Sequence, residues 1–212
     1  MILRPAEPRD LKAVHDICLD TATKRELDDL DLIGYVFADP YLTLAPEFCF
    51  VIDDDEGVAG YAVGALDTVD FYRRWRAEWT PRFADLYPKP EQETDRHSSL
   101  VLSLHNPERY LPAAAAEYPS HLHINLDART RRQGWGTKLL DALFDRLRAG
   151  GVAGRASEHV RHQHPGHRLL PQIGLRGPGS ARRRHRDGTP LRRFGQDGGT
   201  PVPIVRSSPD AA

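Results

Sequence analysis

The chain predicts an α/β or α+β fold, a sheet with helices packed against it. Three observations carry that expectation. FCFVIDDDEGVAGYAVGAL holds two β-rich runs, Phe48–Ile52 and Val58–Leu66, joined by the turn Asp53–Gly57, which is a hairpin pattern. HLHINLD alternates Leu122, Ile124 and Leu126 on one face, the period of a strand. Leu139, Leu140, Leu143, Phe144 and Leu147 recur at helical spacing and stop at Gly150 and Gly151.

The remaining elements follow in order. Ile2–Arg4 is a short apolar start and reads as a strand. Pro8 opens a helix, because its missing N–H costs nothing in the first turn. Leu11, Val14, Ile17 and Cys18 then keep helical spacing through Ala22. Thr23–Ala38 mixes acids and Leu and reads as a second helix with a loop. Asp70–Tyr87 carries aromatics at helical intervals, with Pro81 bending or splitting it. Pro88–Glu93 is a loop, and Ser98–Leu104 reads as a further strand.

Composition excludes several classes. No run of eighteen apolar residues exists, so no membrane partner is expected. MILRPAEPRD lacks the basic-then-apolar pattern of a secretory signal. Cys18 and Cys49 lie in apolar stretches without CxxC spacing and read as small buried hydrophobes. A reducing cytoplasm is the simplest compartment for such a chain, and no metal site is expected. The net charge of −1 hides a split. Residues 1–154 carry a balance of −8 and residues 155–212 a balance of +7.

HLHINLDARTRRQGWGTKLLDALFDRLRAGG concentrates the chemistry. A strand enters a basic loop, two glycines follow, and a helix begins. Gly134 and Gly136 allow a tight turn and a close backbone approach. The first amides of the helix have no internal partner, and the helix dipole favours an anion there. Arg129, Arg131 and Arg132 add positive charge, so a diphosphate is the natural guest. The loop lacks GK[ST], which excludes a Walker loop, and lacks the third glycine of a dinucleotide fingerprint. A strand-to-helix loop whose glycines serve packing alone is the competing reading.

Arg131-x-x-Gly134-x-Gly136 after a strand resembles the acetyl-CoA pyrophosphate loop of GNAT acetyltransferases. The resemblance extends over residues 1–154, through AVHDICLDTA, DLIGYVFADPYLTLAPE, GYAVGALDTVDFY and YPSHLHINLDARTRRQGWGTKLLDAL. It is closer to one branch, the acetyltransferase-like domain at the C-terminus of animal O-GlcNAc hydrolases and its free-standing bacterial relatives. It implies a mixed, splayed central sheet flanked by helices, with acetyl-CoA as co-substrate. Leu126 and Ala128 would offer backbone groups to the pantetheine and thioester. Arg131, Arg132, Gln133, Gly134, Trp135, Gly136 and Thr137 would wrap the diphosphate. Asp127 matches an acid at the end of the same strand and becomes the candidate base, against the alternative of a solvated or capping carboxylate.

The implied function is acetyl transfer to a primary amine, on a small molecule or a protein, by direct attack on the thioester. A non-catalytic acyl-CoA-binding or protein-interaction module is the alternative, and a second copy of the chain is a further candidate partner.

The family also implies a further strand and a helix with an FYxxLGF-like motif, and residues 155–212 hold neither. They are rich in Arg, Pro and Gly. Codons for His167–Leu175 can be chosen so that the frame shifted by one base reads IGFYRKLGF. The expectation is therefore a domain over 1–154, incomplete at its C-terminal end, and a tail over 155–212 that is out of frame and disordered. That account outranks a metal site at His159, His162, His164 and His167, four of the tail's five histidines, and leaves nucleic-acid binding through its arginine cluster as a third, less favoured function.

Overall fold

A computed structural model describes residues 1–22, 29–113, 115–116 and 118–151, with the backbone of Ala156–Ser157 and Gly174–Leu175. These lie within the unit Met1–Ser180. The boundary expected after residue 154, the frame change and the state of the tail fall outside the described residues, those four positions apart.

Four strands form one sheet in the order β1 (Ile2–Pro5), β2 (Cys49–Asp54), β3 (Gly57–Ala65), β4 (His121–Leu126), every pair antiparallel. The expected hairpin is β2–β3. Its turn is tighter than Asp53–Gly57, because the strands pair as far as Asp54 and Gly57. Gly57 holds φ +101°, a conformation in which a side chain would be strained. β3 is buried on both faces from Ala59 to Ala65, so helices must cover both sides of the sheet.

One cover is α6 (Trp135–Ala149), whose Leu139, Leu143 and Leu147 are fully buried. It packs on β2, β3 and the face of β4 that carries Leu122. The other cover is built from α1 (Leu11–Thr21), α2 (Asp31–Phe37), α3 (Asp39–Leu44) and α4 (Thr68–Arg74). Pro8 sits in a one-turn 3-10 segment, Pro8–Asp10, that leads into α1. The aromatic run after α4 does not stay α-helical. It passes through a π turn at Trp75–Trp79 and ends in a 3-10 turn at Thr80–Arg82, where Pro81 removes an amide.

The strand expected at Ser98–Leu104 is instead helix α5 (Arg96–His105). Its start is specified by a reciprocal cap. Asp95 Oδ1 accepts the Ser98 amide at 2.7 Å, and Ser98 Oγ accepts the Asp95 amide at 3.0 Å. Leu100, Val101 and Leu104 then fall on one buried helical face. A short run of Leu, Val and Ser has no period of its own, and the cap decided it.

Arg4 ties the sheet edge to the first helix. Its Nη1 and Nη2 reach Asp10 at 2.7 and 2.9 Å, and Nη2 also reaches Asp53 across the β1–β2 pair at 2.7 Å. This guanidinium holds the buried Asp10 carboxyl below its usual range. Arg4→Met is expected to cost about 3 kcal/mol, because Asp10 is left as a buried unpaired charge. Urea denaturation reads this directly, and an unchanged midpoint would refute it. Among the described residues no helix is long and apolar enough to cross a membrane.

Candidate active site

The basic loop is built by the end of β4. The Asp127 amide donates to Ala59 O at 2.9 Å and so continues the β3–β4 ladder by one residue. In an antiparallel ladder, alternate residues point their backbone groups in opposite directions. Those of Leu122, Ile124 and Leu126 therefore face away from β3, at the sheet's edge. Asp127 Oδ1 accepts the Arg129 amide at 2.9 Å, and Asp127 O accepts the Thr130 amide at 3.1 Å. The side chain expected as a base thus caps the 3-10 turn Ala128–Thr130.

The arginines separate. Arg129 turns back onto the hairpin, with Nη1 2.8 Å from Glu56 Oε2 and Nη2 on Gly57 O and Val58 O. Its charge is spent there, contrary to the expectation that it joins the anion site. Arg131 and Arg132 are exposed, and no carboxylate pairs with either among the described residues. Arg131 Nε donates to Leu126 O at 3.0 Å, which confirms that this carbonyl faces the edge. Gln133 Nε2 donates to Arg129 O at 2.6 Å and closes the loop. Arg132 and Gly134 both take positive φ, +60° and +79°, to bring the chain round into α6.

Gly134 is the cap residue of α6 and offers no side chain to it. Only from Lys138, whose amide reaches Gly134 O at 3.2 Å, does the helix satisfy its own donors. The amides of Trp135, Gly136 and Thr137 consequently point outward without an intrahelical partner. Gly136 serves a different purpose from Gly134. A Cβ there would stand 3.3 Å from Leu126 Cδ1, so glycine lets the helix lie close on β4. Lys138 Nζ sits 4.0 Å over the Trp135 ring and adds positive charge at the same helix end. Leu126 and Ala128 thus lie at the end of β4 and in the turn after it, and Arg131 through Thr137 run from there into the first turn of α6, with two exposed arginines and three amides free of intrahelical partners.

A second polar group lies deeper, and sequence reasoning missed it. The leucine face of HLHINL implies an opposite face of His121, His123 and Asn125, which was the available signal. All three are buried, against α3, α4 and β3. Tyr41 OH lies 2.8 Å from His121 Nε2 and 2.9 Å from His123 Nε2. Thr68 Oγ1 lies 2.8 Å from His121 Nδ1. Asn125 Nδ2 donates to Tyr61 OH at 2.7 Å. Burial disfavours the charged imidazoles and pushes His121 down to about 3 and His123 down to about 4. His15 shows the contrary shift. Its Nδ1 is 2.7 Å from Asp39 Oδ2, and this partner raises it. Cys18 is a buried free thiol pushed up to about 12 by burial, and Cys49 is likewise buried and raised.

No protein-family model matches the chain. The solved structure of SsHAT superposes on 72% of this chain and 79% of its own length, with a TM-score of 0.67 and 37% sequence identity. The chain belongs to the GNAT family of acetyltransferases. Protein O-GlcNAcase from Rattus norvegicus and from Mus musculus each align with this GNAT chain at 28% identity over 169 residues, 74% of it. The chain spans only 18% of the length of those curated relatives. A polyamine N-acetyltransferase of Drosophila melanogaster covers 82% of the GNAT chain and 99% of its own, at 14% identity and a TM-score of 0.46.

Proposed function

We propose that residues 1–154 form a domain that binds acetyl-CoA and moves its acetyl group to a primary amine. The observation that carries this is the mouth of α6, with three outward amides, Gly136 pressed on Leu126, and two exposed arginines without carboxylate partners among the described residues. These residues fit a diphosphate. The amides of Trp135, Gly136 and Thr137 would hold its oxygens, with Arg131 and Arg132 around them and Gln133 and Gly134 shaping the turn. Backbone groups of Leu126 and Ala128 at the β4 edge would hold the pantetheine.

Bound there, acetyl-CoA supplies an activated acetyl group. The chain supplies position and polarity. Amides fixed on a strand edge cost no reorganisation when they face developing negative charge. Asp127 contributes through its cap, which sets the turn that aims residues 131–137. The acceptor is an amine carried by a small molecule or a protein. The tail, residues 155–212, enters this reading as out-of-frame sequence, and sequencing the gene across Gly154–Arg155 tests that part separately.

Calorimetry with acetyl-CoA tests the binding half. A saturable heat is expected, and a flat titration would sink the proposal. Release of free CoA thiol in the presence of ethylamine tests the transfer half. Binding without thiol release would instead favour a non-catalytic acyl-CoA-binding module.

A further inference from the structure

The buried polar group on β4 has a direction, and it ends on an atom with nothing to bind. Thr68 Oγ1 is 2.6 Å from Pro119 O, and a carbonyl can only accept. Thr68 therefore spends its one proton on Pro119. Its oxygen must accept from His121, which places a proton on His121 Nδ1. In a neutral ring the second nitrogen, Nε2, is then a bare acceptor, and Tyr41 O–H donates to it. The Tyr41 oxygen accepts in turn from His123, which places a proton on His123 Nε2. His123 Nδ1 is left with a bare lone pair. It is buried and has no hydrogen-bond partner, one of few such side-chain atoms among the described residues. These proton positions are assigned by the network, beginning from one backbone carbonyl.

Such an orphan is costly unless a donor visits it. The neutral state that the assignment needs agrees with the burial that lowers both histidines. A buried neutral imidazole is poorly suited to keeping a proton and well suited to accepting a hydrogen bond. It would favour an uncharged N–H over an ammonium ion, and only an uncharged amine can attack a carbonyl. Four residues separate His123 from Asp127 along the strand, about 13 Å, so the two do not serve one nitrogen.

We propose that His123 Nδ1 accepts a hydrogen bond from the N–H of the acetyl acceptor in its neutral form, with Thr68, His121 and Tyr41 as positioning residues that hold the receptive tautomer. The proposal rests on the acetyl-transfer reading above and deepens it, since it names the group that recognises the amine.

Nitrogen-15 NMR of the imidazoles in the full chain decides it. His121 is expected to carry its proton on Nδ1 and His123 on Nε2. At about pH 9, where part of an alkylamine is neutral, ethylamine is expected to move the His123 Nδ1 resonance and trimethylamine, which then has no N–H in its neutral form, to leave it in place. Tyr41→Phe is expected to put part of the His123 proton onto Nδ1 in a protein that remains folded. His123→Gln, which can still reach Tyr41, is expected to lower kcat/KM for ethylamine about tenfold and leave acetyl-CoA affinity within about twofold.

A proton on His123 Nδ1 in the unmodified chain, an equal response to both amines, or no response to ethylamine overturns the proposal. So does an unchanged kcat/KM in His123→Gln. A chain that binds no acetyl-CoA defeats the transfer reading alone, because the tautomer and amine titrations are read without it.

Discussion

Gly134→Glu is expected to weaken acetyl-CoA binding by at least about a hundredfold, roughly 2.7 kcal/mol. The position has φ +79°, and a Cβ there would meet nothing within 4 Å, so the side chain has room. Its backbone strain, about 1–2 kcal/mol, falls on an exposed loop. The decisive effect is electrostatic. The new carboxylate would lie beside the outward amides of Gly136 and Thr137 and cap them itself, as acidic residues do at helix starts. The diphosphate would then meet an occupied, negative mouth. Gly134→Ala shares the strain without the charge and is expected to stay within about tenfold of the unmodified chain. Calorimetry of both variants at low and high salt checks the argument, because charge repulsion at an exposed site weakens with screening. Equal affinities for the Glu and Ala variants would show that the amides do not hold the diphosphate.

Acid is expected to destabilise this domain from about pH 6.5 downward, before its carboxylates titrate. In the unfolded chain, histidines gain a proton near pH 6.5. In the folded chain His121 and His123 resist it down to about 3 and about 4. Between roughly pH 4 and 6.5 the unfolded state therefore binds up to two more protons, and stability rises with pH across that window. The slope approaches about 2.7 kcal/mol per pH unit where both contribute. Carried down to the pH at which the rings charge in place, the two losses sum to about 8 kcal/mol, comparable with an ordinary domain stability of about 5–15 kcal/mol. His15 acts with the opposite sign. Its value is raised by Asp39, so its contribution is whole below pH 6.5 and fades as pH climbs through the folded value. Stability is thus expected to peak near neutrality, with the steeper loss on the acid side. Urea unfolding at a series of pH values measures the slope, and His123→Gln should remove about half of it. A flat profile between pH 5 and 7 would show that the two rings are not buried in the neutral form.

The two expectations draw on residues that differ in how openly the sequence declared them. Arg131-x-x-Gly134-x-Gly136 is a local pattern, and its amides, its turn and its helix are all made by neighbours in the chain. The histidine group is not local. Tyr41, Thr68 and His121 are brought together from α3, α4 and β4, and nothing in HLHINLD alone says that its polar face is roofed by Tyr41 and Phe71. Arg129 shows the same limit from the other side. It stands in a basic run and reads as part of an anion site, until Glu56 on the neighbouring hairpin claims it. Asp127 read as base or cap, and the Arg129 amide 2.9 Å from its Oδ1 is a contact that the order of residues did not show.

By itself, then, the order of residues determined β1, the β2–β3 hairpin, β4, α1 and α6, because each rests on a period of two or 3.6 that short-range sterics and one-sided burial impose. It also determined the first turn of α6, since a helix start with glycine before it leaves amides without an intrahelical partner wherever it occurs. Ser98–Leu104 was also set locally, by the Asp95–Ser98 cap that its period did not reveal. Tertiary structure alone decided that Arg129 is neutralised and that two histidines on a strand are uncharged. Those outcomes depend on what lies across a contact, and a hydrogen bond or a desolvated ring is a property of two distant segments together.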